Sequence, residues 1–104
     1  MNTSHKIYDP IEEMIFSKGL RIESLLIDDN RLFISLNTKQ ILIDKIENHK
    51  RLKTASLGDL NEFRFIANGT GIHWPSLDED LSLYGLLKDY FIKNFQEQSE
   101  LVIS

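Results

Sequence analysis

"LRIESLLIDDNRLFISLNTKQILIDKI", residues 20 to 46, holds three β-rich runs separated by two short polar breaks. The middle run alternates cleanly: Leu32, Ile34 and Leu36 fall on one side, Phe33 and Ser35 on the other. That period of two marks a strand with one buried face. In the first run Leu20, Ile22 and Ser24 share a side and Leu25 and Ile27 take the other, so alternation is imperfect. In the third run Ile41, Ile43 and Lys45 share a side. "DDNR" supplies residues that tolerate left-handed backbone, so the first two runs close as a hairpin, and "NTK" turns the chain again. The expected frame is a three-stranded antiparallel meander over residues 20–28, 32–37 and 40–46.

On the N-terminal side, Pro10 followed by "IEEMIF" predicts a short helix, because proline is accepted in a first helical turn. The competing expectation is a loosely attached arm over residues 1–18. On the C-terminal side, "TASLGDLNEF" reads as a short helix capped by Ser56, with Asp59 three residues on and Gly58 weakening the first turn. "FRFIAN" and "IHW" read as a second hairpin across "GTG", with Gly69 and Gly71 supplying positive φ and Pro75 stopping the return strand. Ser82 then caps a helix in which Leu83, Leu86, Leu87, Tyr90 and Phe91 form an apolar stripe opposite Lys88, Asp89 and Lys93. These readings give an α+β fold: a small antiparallel sheet, made of the meander plus the second hairpin, packed with two or so short helices. One domain is expected over residues 19–95, with a tail over 96–104.

Bulk composition narrows the function classes. The chain has 104 residues, 41% of them hydrophobic, enough for one small core. It has no cysteine, which excludes disulfides, a thiol nucleophile and thiolate zinc sites. The net charge of −4 lies wholly in residues 76–104, where six acids face Lys88 and Lys93; residues 1–75 carry ten acids and ten bases. Such a chain lacks a general pull toward nucleic acid, which needs clustered Lys and Arg. The local exception is "KIENHKRLK", Lys45 to Lys53, read as a solvated stretch because no aromatic interleaves it to stack on bases. A nucleic-acid-binding regulator acting through it is the third-ranked reading. No stretch resembles a signal peptide or a membrane span, so a cytoplasmic protein is expected.

The densest chemistry lies in "HWPSLDED", residues 73–80. A metal site would use His73 with Asp78 or Asp80, yet only one histidine is near in sequence and metal sites generally take three protein ligands. A small hydrolase would use His73 and Asp78, Glu79 or Asp80 as acid and base, with Ser76 or Ser82 nearby, but no triad or elbow pattern surrounds either serine. The structural reading asks for less. Trp74 fills the core, Pro75 ends a strand, and the three acids precede a helix whose N-terminus favours negative charge. Asp80 or Ser82 would then accept its free amides. On that reading His73, Asp78, Glu79 and Asp80 remain available to a partner, and no cofactor or metal is expected.

"RLKTAS" followed by "GTGIHWPSLDEDLSLYGLL" closely resembles the small bacterial family called domain of unknown function 2442. Gly69, Gly71, Ile72, His73, Trp74, Pro75, Leu77, Asp78, Glu79, Asp80, Leu81, Ser82, Gly85, Leu86 and Leu87 fit its pattern, and Arg51, Leu52 and Ala55 fit the upstream element. The resemblance spans about residues 20 to 88. It implies a compact α+β fold and a gene often placed beside domain of unknown function 4160, in arrangements resembling toxin–antitoxin pairs. Some members append a helix-turn-helix domain, and here only "QEQSELVIS" follows residue 95. The resemblance carries no catalytic residues. The expectation is a non-catalytic, antitoxin-like or accessory subunit that binds a small, possibly toxin-like protein partner, with homodimerisation open.

Overall fold

The hairpin turn at Asp29 and Asn30 is built from two consecutive left-handed residues, φ +52° and +59°. That backbone matches the natural twist of the strands it joins. The computed structural model describes residues 8–103, with side chains through residue 94. Strands β1 (Ile22–Asp28), β2 (Arg31–Leu36) and β3 (Ile41–Lys45) form an antiparallel sheet in that order. Leu32, Ile34 and Leu36 point inward and are fully buried. The imperfect alternation of the first run has a cause: the pairing register shifts between Ile22 and Ser24, leaving Glu23 as an extra residue. This bulge puts Ile22, Leu25 and Ile27 on the same inner side. Asn37 secures the entry to β1: its amide accepts from the Arg21 N–H and donates to the Gly19 carbonyl, each at 2.9 Å.

The second half contains the expected hairpin and extends it by a third strand. Strands β4 (Arg64–Ile66), β5 (Gly71–Trp74) and β6 (Glu79–Ser82) make a second three-stranded antiparallel sheet. The acids therefore do not sit in a loop before the helix; Glu79 and Asp80 are strand residues. A single 3-10 turn at Pro75–Leu77 and a left-handed Asp78, φ +50°, reverse the chain and lay Ile72 opposite Leu81. "EDLS" has poor intrinsic strand preference, so this strand exists through its pairing and through the packing of the partly buried Leu81 on the core. The role expected of the two glycines also divides. Gly69 takes φ +84°, joined by Ala67 and Asn68 at +53° and +56°, whereas Gly71 has no positive φ. Gly71 serves close approach instead: a Cβ there would lie 3.0 Å from Ile66 Cγ1.

The residues from Pro10 onward, where an arm or a short helix was expected, form helix α1 (Pro10–Lys18); residues 1–7 lie outside those described. Asp9 caps it, accepting from Ile11 and Glu12, and Gly19 ends it at φ +60°. Ile11, Met14 and Ile15 pack against the core. Short helices α2 (Lys50–Lys53) and α3 (Leu57–Leu60) follow β3, and α4 (Leu83–Ile103) closes the chain. Helix α4 runs through the stretch expected as a tail, since "QEQSELVI" contains no glycine or proline to stop it. The inner faces of both sheets meet Leu20, Leu52, Leu60, Leu83, Leu86 and Leu87 in one core around the fully buried Trp74. No helix among the described residues is long and apolar enough to cross a membrane.

Candidate functional site

Strand alternation sorts the residues of "HWPSLDED" by face. Ile72 and Trp74 turn inward and are fully buried, so His73 faces out, in register with Arg64 on β4 and Asp80 on β6. Asp80 Oδ1 lies 2.5 Å from His73 Nδ1. The imidazole is 23% exposed and the carboxylate 65%. Asp80 thus fixes the ring through Nδ1 and leaves Nε2 for a hydrogen bond to another group.

The three consecutive acids do not form a single surface. Asp78 stands at the turn with its side chain 93% exposed. Glu79 pairs with Trp74 on the inner row and is half-buried, while Asp80 belongs to the outer row. Arg51 of α2 reaches the turn, its Nη1 donating to the Asp78 carbonyl oxygen at 2.5 Å and lying 3.4 Å from Oδ2. The "RLK" element and the "DED" element, 27 residues apart, therefore meet. Leu52 beside Arg51 is fully buried.

The remaining motif residues support the scaffold. Ser82 Oγ accepts the Gly85 N–H at 3.0 Å and caps α4, a role Asp80 does not share. Leu86 and Leu87 are buried in the core. Gly69 lies against Arg21, whose Cδ would be 3.1 Å from an added Cβ. Ser76 Oγ turns to Asp59 at 3.5 Å, so both serines near the histidine are engaged elsewhere. Among the described residues, no three His, Cys, Asp or Glu side chains are grouped to hold a metal ion.

Folding divides the basic stretch from Lys45 to Lys53. Arg51 turns to Asp78, and His49 turns to Asp44. Lys45 and Lys53 line an open groove of about 440 Å³ with Arg31, in company with Asp29 and Glu47.

Two features had no sequence signal. The His49–Asp44 pair, at 2.5 Å with side chains 14% and 15% exposed, is the most enclosed ion pair described. Burial pushes the Asp44 carboxyl upward, but hydrogen bonds from His49 and Asn48 outweigh it and hold the group below its usual 3.8. The hydrogen bond to Asp44 raises His49 above the ordinary 6.5 despite partial burial. The second is an apolar row on the outer face of the first sheet, where Leu26, Phe33 and Ile43 stand in cross-strand register. The periodicity of β3 showed that Ile41 and Ile43 share a face, but not that this face is the outer one.

The family model described as protein of unknown function DUF2442 matches residues 22–91. The chain belongs to that family. The matched span begins after α1 and ends within α4. A crystal structure of a protein of unknown function from Rhodospirillum rubrum ATCC 11170 is 28% identical, with a TM-score of 0.62 over 67% of this chain and 87% of that one. A solution structure of an uncharacterised protein from Chromobacterium violaceum is 21% identical, with a TM-score of 0.62 over 75% of this chain and 72% of that one, and supports the fold alone. Among curated proteins, none matches the sequence.

Proposed function

We propose that this DUF2442 domain is a cytoplasmic, non-catalytic subunit of a two-protein module, antitoxin-like or accessory in role, that binds a small protein partner. The observation carrying this reading is the division of its signature. Apolar members (Ile72, Trp74, Leu86, Leu87) build the core, while Arg64, His73 and Asp80 form a polar outer row beside the Arg51–Asp78 turn. A fixed imidazole flanked by charges of both signs suits directional hydrogen bonding across an interface, with the charges chiefly setting encounter rate and partner choice. The resemblance to gene pairs of the toxin–antitoxin type supports a protein as the partner.

The test is co-purification of the tagged chain from its native host, with a His73→Ala/Asp80→Asn variant in parallel. The reading predicts a stoichiometric protein that is retained by the wild type and lost from a variant that remains folded. A divalent-cation rise in melting temperature that disappears in His73→Ala would instead favour a metal-dependent activity.

A further inference from the structure

The outer face of the first sheet is patterned in rows that match themselves after a two-fold rotation. Reading across β1, β2 and β3, the rows are Asp28–Arg31–Lys45, then Leu26–Phe33–Ile43, then Ser24–Ser35–Ile41. Leu26, Ile41 and Ile43 are 63%, 57% and 56% exposed, so the two edge strands present an open apolar surface, with the half-buried Phe33 between them under the Arg31 guanidinium. We infer that this face binds a second copy of the chain, sheet against sheet, about a two-fold axis parallel to β2.

That operation exchanges β1 with β3 across the interface and keeps each row opposite itself. Asp28 at one edge then faces Lys45 of the copy at the other, and the pair occurs twice. Leu26 faces Ile43 twice, and Phe33 meets its counterpart on the axis. In the third row small Ser24 faces large Ile41, so a hollow receives a projection on each side. An isologous dimer requires such reciprocity, residue i on j and j on i. The Arg31 side chains near the axis are each already matched within their own chain, to Asp29 at 3.1 Å and over the Phe33 ring at 5.5 Å. Sheets packed this way lie about 10 Å apart with strands within about 30° of aligned.

The footprint sets the strength. Three strands of five to seven residues cover less than the roughly 800 Å² per partner of a standard stable interface. A footprint of this size fits a weak, concentration-dependent dimer rather than a permanent one. It leaves the Arg64–His73–Asp80 row of the other sheet outward, so one dimer presents that row twice.

Sedimentation velocity of the full chain from about 1 to 500 µM tests this, with melting temperature as the folding control. The wild type should pass from monomer to dimer across that range, and Phe33→Glu should stay monomeric while folded. Asp28→Lys alone and Lys45→Asp alone should each weaken association at least tenfold, by placing like charges opposite, and the double exchange should restore it at low salt. Three results would overturn the proposal: a wild type monomeric at 500 µM, a dimer indifferent to Phe33→Glu, or failure of the double exchange to restore association. Cross-linking of Ile43 to a different protein in the native complex would overturn it as well.

Discussion

Trp74 Nε1 donates to the Leu60 carbonyl oxygen at 2.9 Å inside the core, tying β5 to the last residue of α3. The ring also packs on Phe63, centroids 6.3 Å apart. Trp74→Phe keeps most of the apolar contact but leaves a buried carbonyl unmatched, and should cost about 1–3 kcal/mol. Trp74→Ala adds a cavity and should cost about 3–5 kcal/mol, most of the stability of a small domain. Urea unfolding followed by tryptophan emission for the wild type, and by circular dichroism for the variants, checks both. The wild-type emission should be blue-shifted; a spectrum like that of free tryptophan in water would contradict the burial.

Tyr84 fastens α1 to α4. Its hydroxyl donates to Asp9, the residue that caps α1 through its other carboxylate oxygen. The hydrogen bond holds the Asp9 carboxyl below its usual range and pushes the tyrosine hydroxyl up. Tyr84→Phe should leave both sheets intact and speed amide hydrogen exchange in residues 11–18 alone. Uniformly faster exchange would mean that α1 is not a separable unit.

The His49–Asp44 pair gives the fold a pH window. A raised histidine stabilises fully below 6.5, its unfolded value, and the gain is lost as pH climbs through the higher folded value. A lowered carboxyl stabilises above 3.8 and loses that gain as pH falls through the lower folded value. The pair therefore contributes most between those two ordinary values. The melting-temperature gap between wild type and Asp44→Asn should peak near pH 5 to 6 and narrow on both sides. A gap flat with pH would assign the stabilisation to shape rather than charge.

Asp78 carries the turn into β6 with a left-handed backbone, which costs an L-residue about 1–2 kcal/mol unless its side chain is Asn- or Asp-like. Asp78→Asn should keep the fold with little loss, and Asp78→Val should destabilise by about that amount. Arg51→Ala removes the donor to the Asp78 carbonyl and should raise exchange at residues 78–80 in particular. Denaturant midpoints and exchange rates for the three variants separate backbone conformation from the arginine contact.

The legible parts of the sequence were those in which local chemistry and tertiary structure agree. Leu32, Ile34 and Leu36 alternate because only one side of β2 is buried, and "DDNR" turns because its residues accept positive φ. Ser82 precedes a leucine stripe, and it caps. The less legible parts depended on distant pairing. "EDLS" becomes a strand only beside Gly71–Trp74, and that pairing sends Glu79 and Asp80 to opposite sides. The bulge at Glu23 disrupted the expected alternation because two-residue periodicity assumes an unbroken ladder. His49 and Asp44 meet through a 3-10 turn for which spacing gives no sign. In the candidate site the sequence marks His73 and the three acids, but Arg51 beside Asp78 and Arg64 beside His73 come only from the fold.

The extra residue in β1 has a consequence for insertions and deletions. Ile22 already pairs with Leu36 and Ser24 with Ser35, so removing Glu23 would join two registers that are regular on either side. The shortened chain keeps every inward residue inward and loses only the local twist and the 3.8 Å Glu23–Lys39 contact. Removing Leu26 instead would shift one side of the strand by a residue and turn its inner residues outward. A strand is ordinarily the part of a domain least tolerant of lost codons, yet here one in-frame deletion should give a soluble, cooperatively melting protein while its neighbour three residues on should not. Paired expression of the two deletions would read that difference directly.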